Sequence, residues 1–430
     1  MIFIPNDHFP YLQYGLYFLG GPLLDPEHLP GLGIITQRQL LRGTQKRNRD
    51  DFLKATEHLG SIVHIFHYRY AFGLNTGVLS RSLEQVASLI EEAIIQPALD
   101  EAEIEQTKRS YCDELNNVLD NDSALAWLWL NRTLLSHHDQ WKCVAVDSKQ
   151  IMQISKQDVV NHWQMIHQKS AFYPCISGSA NLDVLNQVVD RLAHQLPNHQ
   201  TIQLPKNPIE MPKGRSLTII HKPNRKQVQL MIAHPLPAPG HVDEIALEIA
   251  VIAFGGIFTS PLSQEIREKR GLAYFVNASV KDNWGTKILL INATPNVKDV
   301  ALTLEIAFKV WQDAQNGLVN DQEIQLAKDF VMNAHPFSLE TPAFRAVKLL
   351  RDQMQGIDPQ RAYRMPQLIE VLTVEQIRDT ARRYFNPENC QVLALGDGKA
   401  LKKALKGKVD RWRMIDFDEG AEGARGVGFE

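Results

Sequence analysis

ISKQDVVNHWQMIHQKSAFYPCISGSANLDVL, residues 154–185, has a counterpart of the same layout in LTVEQIRDTARRYFNPENCQVLALGDGKALKKAL, residues 372–405. Each segment is typical of a capped helix, a turn with proline, a short strand that ends at glycine and a second helix. The expected N-caps, Ser155 and Thr373, are 218 positions apart, and the strand-ending glycines keep that spacing. One constant offset with one order of elements indicates an internal duplication. The alternative is two unrelated units of a common helix–strand–helix type.

The rest of the chain fits two related halves. Each half opens with segments rich in β-branched and aromatic residues and continues with long amphipathic helical runs. Prolines cluster near the midpoint, which is typical of a linker. We therefore predict an α+β protein of two homologous halves, each a mostly antiparallel sheet with packed helices. The predicted boundaries are 1–200 for the first half, 201–214 for the linker, 215–419 for the second half and 420–430 for a flexible, glycine-rich tail.

Composition and charge narrow the functional class. The chain has 430 residues, 44 % of them hydrophobic and 22 % charged, with a formal net charge of −3. This balance gives no global electrostatic reason to expect a nucleic-acid partner. The apolar run at residues 249–258 is too short to cross a bilayer. We see no signal peptide at the N-terminus and expect a cytoplasmic protein, with a periplasmic location left open. The four cysteines are far apart and indicate no disulfide framework.

A carboxylate lies beside the apolar face of the helix predicted to begin at Asp100. Helical spacing places Glu114 next to Tyr111, Leu115 and Val118. A half-buried carboxylate needs a polar partner. The alternative is a glutamate at the edge of the face that reaches water.

The stretch GGIFTSPLSQEIREKRGLAYFV, residues 255–276, predicts a helix that ends at Gly271 and a strand that follows at once. Arg267 and Tyr274 lie on either side of this tight joint. Together they would offer donors to a carbonyl or a developing oxyanion. The alternative is a solvated charged helix face followed by a tyrosine of the core.

Histidines are the other candidates for chemistry. His58, His64 and His67 are close in sequence, but residues three apart on a strand point to opposite faces. The spacing therefore disfavours a zinc site, although an unorthodox metal site here remains an alternative. The sequence contains no H-E-x-x-H, no H-x-x-E-H, no phosphate-binding glycine loop and no G-x-S-x-G motif.

Residues 255–276 resemble the second-half signature of the pitrilysin/insulinase/mitochondrial processing peptidase family of zinc metallopeptidases. That signature reads G-G-x-x-x-S-R-L-x-x-x-L-R-E-x-x-G-L-A-Y. The matching positions are Gly255, Gly256, Ser260, Leu262, Arg267, Glu268, Gly271, Leu272, Ala273 and Tyr274. Pro261 departs from it, where the family usually has arginine. The resemblance extends over nearly the whole chain except the tail.

GLGIITQRQLLRGT, residues 31–44, resembles the first-half signature G-L-A-H-F-L-E-H-x-L-x-x-G-T of the same family. The resemblance places Ile34 and Arg38 where the two zinc-binding histidines stand, and Gln37 where the general-base glutamate stands. The third zinc ligand of the family corresponds to Glu114. The implied site is degenerate and holds no metal. We expect Arg38 to pair with Glu114 in place of the lost metal charge.

The resemblance also implies a role in a two-chain enzyme. Many bacterial members of the family resemble pairs in which one chain keeps the zinc motif and the other keeps the Arg/Tyr pair. By this resemblance, the chain is the non-catalytic subunit of a heterodimeric zinc peptidase and forms half of a clamshell-like enzyme. Tyr274 would stabilise the oxyanion and Arg267 a substrate carbonyl, with zinc in the partner and peptide as substrate. The alternatives are a structural or assembly subunit, or a peptide-binding pseudopeptidase.

Overall fold

The computed structural model describes residues 1–196, 207–211, 213–282 and 285–430. Half of the predicted linker, 201–214, namely residues 201–206 and 212, therefore lies outside the described residues. The described residues form eleven strands in two sheets. The strands are β1 (Ile2–Pro5), β2 (Tyr11–Leu19), β3 (His64–His67), β4 (Ala71–Leu79), β5 (Phe172–Gly178), β6 (Arg215–His221), β7 (Gln229–Leu236), β8 (Ala273–Asp282), β9 (Lys287–Pro295), β10 (Cys390–Gly396) and β11 (Arg411–Asp416).

Helices make up much of the remaining chain. They are α1 (Leu32–Gln39), α2 (Arg49–His58), α3 (Leu83–Ile95), α4 (Glu101–Asp120), α5 (Asp122–Leu134), α6 (Ser148–Gln153), α7 (Lys156–Lys169), α8 (Leu182–Gln195), α9 (Glu244–Val251), α10 (Pro261–Ser263), α11 (Val300–Gln315), α12 (Asp321–Ala334), α13 (Pro342–Met354), α14 (Arg361–Glu370), α15 (Val374–Tyr384), α16 (Gly398–Leu405) and α17 (Gly423–Gly426). Wider π-helical turns follow α9 at Ile252–Gly256 and α10 at Gln264–Glu268.

The two sheets share one pattern of pairing. Sheet one has the order β1-β5-β2-β4-β3, and sheet two has the order β11-β6-β10-β7-β9-β8. In sheet one, β5 is parallel to β1 and antiparallel to β2. In sheet two, β10 is likewise parallel to β6 and antiparallel to β7. The remaining pairs are antiparallel except β11 with β6. The predicted α+β fold of two mostly antiparallel, related halves is confirmed.

The two expected helix caps are present. The side chains of Ser155 and Thr373 each accept a hydrogen bond from the backbone N–H three residues on, and the side chains of Asp158 and Gln376 each accept one from the N-cap N–H. Each reciprocal cap satisfies two backbone donors that the helix itself leaves open, and each is worth about 1 kcal/mol. The duplicated positions thus have duplicated local structure.

Two compact units form, and neither is a contiguous half of the sequence. Unit one consists of Met1–Leu115, Val146–Leu204 and Phe337–Ala362, and unit two of the rest of the chain. Helix α5 belongs to unit two although it lies in the first half of the sequence, and α13 belongs to unit one although it lies in the second. The predicted boundaries treated each half as one contiguous piece, and the structure differs from them in these two segments.

Helix α5, from the first half of the sequence, covers one of the two apolar faces of sheet two. Side chains alternate between the two faces of a strand. On β10, Val392 and Ala394 join a core with α9 and α11, whereas Leu393 and Leu395 join a second core on the opposite face. Helix α5 covers that second face with Leu125, Ala126, Trp129 and Leu130. Both faces of the sheet are thereby buried.

The C-terminal segment is a correction to the prediction of a flexible tail at 420–430. Ala421 is 0 % exposed and Ala424 is 2 % exposed, and both belong to the core beneath α5. Glu430 and Trp412 exchange two backbone hydrogen bonds of 2.7 and 3.0 Å, so the segment lies along β11. The glycine content of the segment indicated flexibility. The segment is ordered instead because its two alanines are buried in the core of unit two.

One helical stretch among the described residues, Glu244–Glu268, is long and apolar enough to cross a membrane. In the structure, 61 % of its most apolar window is buried inside the protein. Phe254 and Leu262 within it are fully buried against sheet two. This burial is typical of a core helix, and a single such stretch is weak evidence for a membrane span.

Candidate functional site

Helix α1 carries the degenerate motif, and a buried carboxylate fixes its N-terminus. Asp25 accepts hydrogen bonds from the backbone N–H groups of Gly31 (2.8 Å) and Gly33 (2.7 Å). Gly31 has a φ of 96°, a left-handed conformation that favours glycine. Asp25 is 1 % exposed, and a carboxylate at a helix N-terminus is stabilised by the helix dipole. These contacts fix the N-terminus of α1, the helix whose side chains differ from the zinc motif that the resemblance implies.

Arg38 and Glu114 form the predicted ion pair. Nη1 and Nη2 of Arg38 donate to the two carboxylate oxygens of Glu114, each at 2.7 Å, although the residues are 76 positions apart. The guanidinium also lies over the Tyr111 ring, 4.8 Å from its centroid. The Arg38 hydrogen bonds lower the pKa of Glu114. Because the Glu114 side chain is 51 % exposed, solvent screens the pair, which is worth at most about 1 kcal/mol.

Gln37 points into the protein toward His67. Its side chain is 0 % exposed, and its Oε1 accepts a 2.7 Å hydrogen bond from Nδ1 of His67. Its Nε2 is buried with no hydrogen-bond partner in the part of the chain that the structure describes. His67 is half-buried, whereas His64 on the same strand is exposed. The histidine thus contacts the residue in the general-base position rather than a second histidine.

These residues do not fit a zinc ion. Ile34 has no donor atom, Arg38 is a cation, and both oxygens of Glu114 are engaged by Arg38. No group of three histidine, cysteine, aspartate or glutamate side chains comes together within ranges 1–196, 207–211, 213–282 and 285–430. At the positions that the resemblance assigns to a zinc site, Arg38 and Glu114 form an ion pair, and no set of metal-binding side chains is present among the described residues.

His67 makes stability depend on pH. Burial, reinforced by the Arg38 charge, lowers the pKa of His67 from 6.5 to about 4. Between pH 6.5 and about pH 4, His67 is protonated in the unfolded chain but still neutral in the folded chain. Lowering the pH through this range therefore favours unfolding. We expect wild type to lose on the order of 1–3 kcal/mol more stability than His67→Gln between pH 7 and pH 4. Chemical denaturation across this range measures the difference, and parallel curves for the two proteins would refute it.

Restoring the motif should restore metal binding. In the triple variant Ile34→His, Gln37→Glu, Arg38→His, helix α1 would present two imidazoles at i and i+4 while Glu114 is released from Arg38. We expect about one zinc ion per chain after dialysis, measured by elemental analysis. Adding Glu114→Gln to the triple variant is the matched control and should abolish retention. A folded triple variant without zinc would show that the frame of the site has been lost.

In unit two, Arg267 and Tyr274 come together. The Arg267 guanidinium lies 3.7 Å from the centroid of the Phe258 ring and 5.9 Å from that of Tyr274. It also contacts Glu268 at 3.3 Å. Tyr274 is 89 % exposed, so the alternative of a core tyrosine is wrong. Phe258 and Phe275 are 59 % and 47 % exposed, which makes an aromatic and cationic surface patch.

The local backbone explains this presentation. The turn after Arg267 closes with hydrogen bonds from Gly271 N–H to the Arg267 carbonyl (3.0 Å) and from Leu272 N–H to the Ile266 carbonyl (2.9 Å). Gly271 has a φ of 60°. Strand β8 is at the edge of sheet two, and its register with β9 shifts between Ala273 and Val276. Such a bulge redirects side chains, and it occurs where Tyr274 turns outward.

The other signature residues have structural roles. A Cβ on Gly255 would lie 2.5 Å from the Cβ of Ala278, so only glycine lets this helix lie against β8. Pro261 occupies the first position of α10 after Ser260, a position that suits proline. The departure from the family at Pro261 therefore preserves the helix start and removes one side-chain charge.

Two aromatic contributors, Phe258 and Phe275, were missed in the sequence, and His67 was considered only as a possible metal ligand. Phe258 supplies the nearer ring against Arg267, Phe275 widens the exposed patch, and His67 holds Gln37. Phe258 lies within the quoted signature at one of its variable positions, so the signature gives it no weight. Two adjacent aromatic residues, Tyr274 and Phe275, cannot both lie on one face of a regular strand, so they were the sequence signal for an exposed aromatic patch.

Family models match both halves of the chain. The model described as "Insulinase (Peptidase family M16)" matches residues 4–140, and the one described as "Peptidase M16 inactive domain" matches residues 153–331. Together they cover well over half of the chain.

Individual relatives are distant. An uncharacterized zinc protease of Rickettsia bellii is 20 % identical over 83 % of this chain and 85 % of its own length. The non-peptidase homolog YmxG of Helicobacter pylori is 20 % identical over 80 % of this chain and 79 % of its own. The crystal structure of a peptidase M16 inactive domain from Pseudomonas fluorescens has a TM-score of 0.82 at 20 % identity, covering 92 % of this chain and 94 % of that one. The fold, the two family models and the replaced zinc motif agree, and the chain belongs to the insulinase family of peptidases, M16, as a member of its inactive type.

Proposed function

We propose that this chain is the non-catalytic subunit of a heterodimeric zinc peptidase and supplies Arg267 and Tyr274 to the active site of its partner. The partner would be a chain of the same family that carries H-x-x-E-H, with zinc bound in that chain. The substrate would be a short or unfolded peptide, since a chamber closed by two chains excludes folded proteins. The proposed location is the cytoplasm.

The observation that carries the proposal is the presentation of Tyr274. A tyrosine that is 89 % exposed on an edge strand gains little stability from its ring. The strand bulges at this residue, and the Arg267 guanidinium lies 5.9 Å from the Tyr274 ring centroid, so the two side chains are presented together. Preorganised donors are effective catalytically because they need no reorganisation when charge develops. The Tyr274 hydroxyl would donate a hydrogen bond to the oxyanion of the substrate, and the Arg267 guanidinium would donate to a neighbouring peptide carbonyl.

Unit one supports a role without chemistry of its own. Gln37 has no basic group to take a proton from water, and Arg38 neutralises the one remaining carboxylate, Glu114. The Arg38–Glu114 pair links α1 and α4 by two hydrogen bonds that need no metal ion. A subunit that binds a peptide for its partner to cleave needs the fold of unit one but no zinc ion of its own.

The proposal is tested by a native pull-down of this chain from its own cells, with bound proteins identified by mass spectrometry. We expect a chain of similar size that carries H-x-x-E-H. The Arg38→Met variant, whose altered site lies in unit one, should recover the same partner. Recovery of this chain alone, or only of unrelated proteins, would contradict the heterodimer.

A second candidate is a structural or assembly subunit, or a peptide-binding pseudopeptidase, with no part in proteolysis. Pro261 favours it, since the arginine usual in the family is absent there, and so does the relative named a non-peptidase homolog. This candidate predicts that a partner binds equally well, and with unchanged activity, when Tyr274 loses its hydroxyl.

A further inference from the structure

A cavity of about 450 Å³ lies in unit two between the end of α5, residues 207–211, β11 and the C-terminal segment. Neither Arg267 nor Tyr274 lines it. Its wall mixes apolar side chains such as Leu134 and Phe429 with the charged groups of Arg413 and Arg425. Its size is that of a pocket for a small molecule.

Arg413 is the buried charge of this wall. The residue is 5 % exposed. Nε donates to Oγ1 of Thr218 at 3.1 Å, and Nη1 donates to the carbonyls of Ala424 (2.7 Å) and Val427 (3.1 Å). Among the described residues, Nη2 has no hydrogen-bond partner and no carboxylate lies within ion-pair distance. Burial lowers the pKa of Arg413 to about 10, which leaves it charged at neutral pH.

Two further arginines add positive charge. Arg425 donates to the Ser136 carbonyl at 2.6 Å and stacks on Trp141 at 4.2 Å. Arg411 and Arg413 both lie against the Phe429 ring, at 5.0 and 4.5 Å. Within the described part of the chain, none of the three arginines forms a salt bridge.

The acidic groups at the wall do not neutralise them. Asp139 accepts a hydrogen bond from Nδ2 of Asn207 at 2.9 Å, and Glu210 is exposed to solvent. Other partly buried arginines of this protein, such as Arg38 and Arg378, have carboxylate partners. A buried charge that faces only neutral acceptors is destabilising. An anion from solution would supply the missing partner.

We propose that this cavity binds a small organic anion whose carboxylate or phosphate group accepts a hydrogen bond from Nη2 of Arg413. The planar guanidinium suits either oxyanion, and the free Nη2 is the donor that remains. Phe429 and Leu134 supply apolar wall for the rest of the ligand. The site is independent of the Arg/Tyr patch and of a partner chain.

Two glycines of the C-terminal segment give a matched pair of variants. A Cβ at Gly428 or at Gly426 meets no atom within 4 Å, so either position accepts a side chain. Gly428 lines the cavity and Gly426 does not. Gly428→Leu therefore fills part of the cavity while all three arginines stay, and Gly426→Leu controls for the added leucine.

Calorimetric titration of the full chain with citrate and with inorganic phosphate, at matched ionic strength, tests the proposal. We expect saturable binding of at least one probe to wild type and to Gly426→Leu, with affinity reduced about 10-fold or more in Gly428→Leu and in Arg413→Gln. The tighter probe identifies the ligand as a carboxylate or a phosphate. Absence of saturable binding of both probes to wild type, or equal affinity in Gly428→Leu, would overturn the proposal.

Discussion

Tyr274→Phe should lower kcat for peptide cleavage by the reconstituted two-chain enzyme about 10²–10³-fold, with KM little changed. The ring is kept, so its contact with Arg267 at 5.9 Å remains, and only the hydroxyl is lost. Removal of one preorganised oxyanion donor costs about 3–4 kcal/mol in the transition state and little in the ground state. Steady-state kinetics on a fluorogenic peptide measures both constants.

The control is Tyr363→Phe, which removes a hydroxyl from a tyrosine that is 40 % exposed in unit two and is not part of the patch. It should leave kcat unchanged. Arg267→Met should raise KM as well, since the guanidinium is proposed to hold a substrate carbonyl. If Tyr274→Phe cleaves as fast as wild type, Tyr274 plays no part in trans and the assembly role becomes the better account.

Trp129→Ala should destabilise unit two by about 3–5 kcal/mol, the usual cost of deleting a fully buried aromatic side chain. Trp129 is 0 % exposed in helix α5, and its Nε1 donates to the Phe417 carbonyl at 3.4 Å. Although α5 lies in the first half of the sequence, it covers one face of sheet two. Urea unfolding followed by circular dichroism measures the loss.

Trp127→Ala on the same helix is the comparison. Trp127 is only partly buried, so its loss should cost clearly less. Equal effects of the two substitutions, or a loss below about 1 kcal/mol for Trp129→Ala, would mean that α5 does not form the second core of unit two.

Features set by neighbouring residues were predictable from the sequence. The caps at Ser155 and Thr373 depend on a side chain three positions away, and both are present. Arg267 and Tyr274 are seven positions apart across a tight turn, and they meet as expected. Local chemistry alone fixes such contacts.

Contacts between distant residues were harder to predict. The Arg38–Glu114 pair spans 76 positions, and only the family resemblance suggested it. Nothing in the local pattern of α5 or α13 shows which sheet each would cover, because an amphipathic helix fits any apolar face. The tail illustrates the same limit, since glycine content indicated flexibility while Ala421 and Ala424 found a core to join.

The most direct test of the central claim is to titrate this chain into a fixed amount of the purified zinc-bearing partner and measure peptide cleavage. The account predicts little cleavage by the partner alone and a rise that saturates at about one chain per partner, with Tyr274→Phe binding equally but leaving cleavage low. A partner that cleaves at its full rate without this chain, or is activated equally by Tyr274→Phe, would contradict a role for Tyr274 in trans.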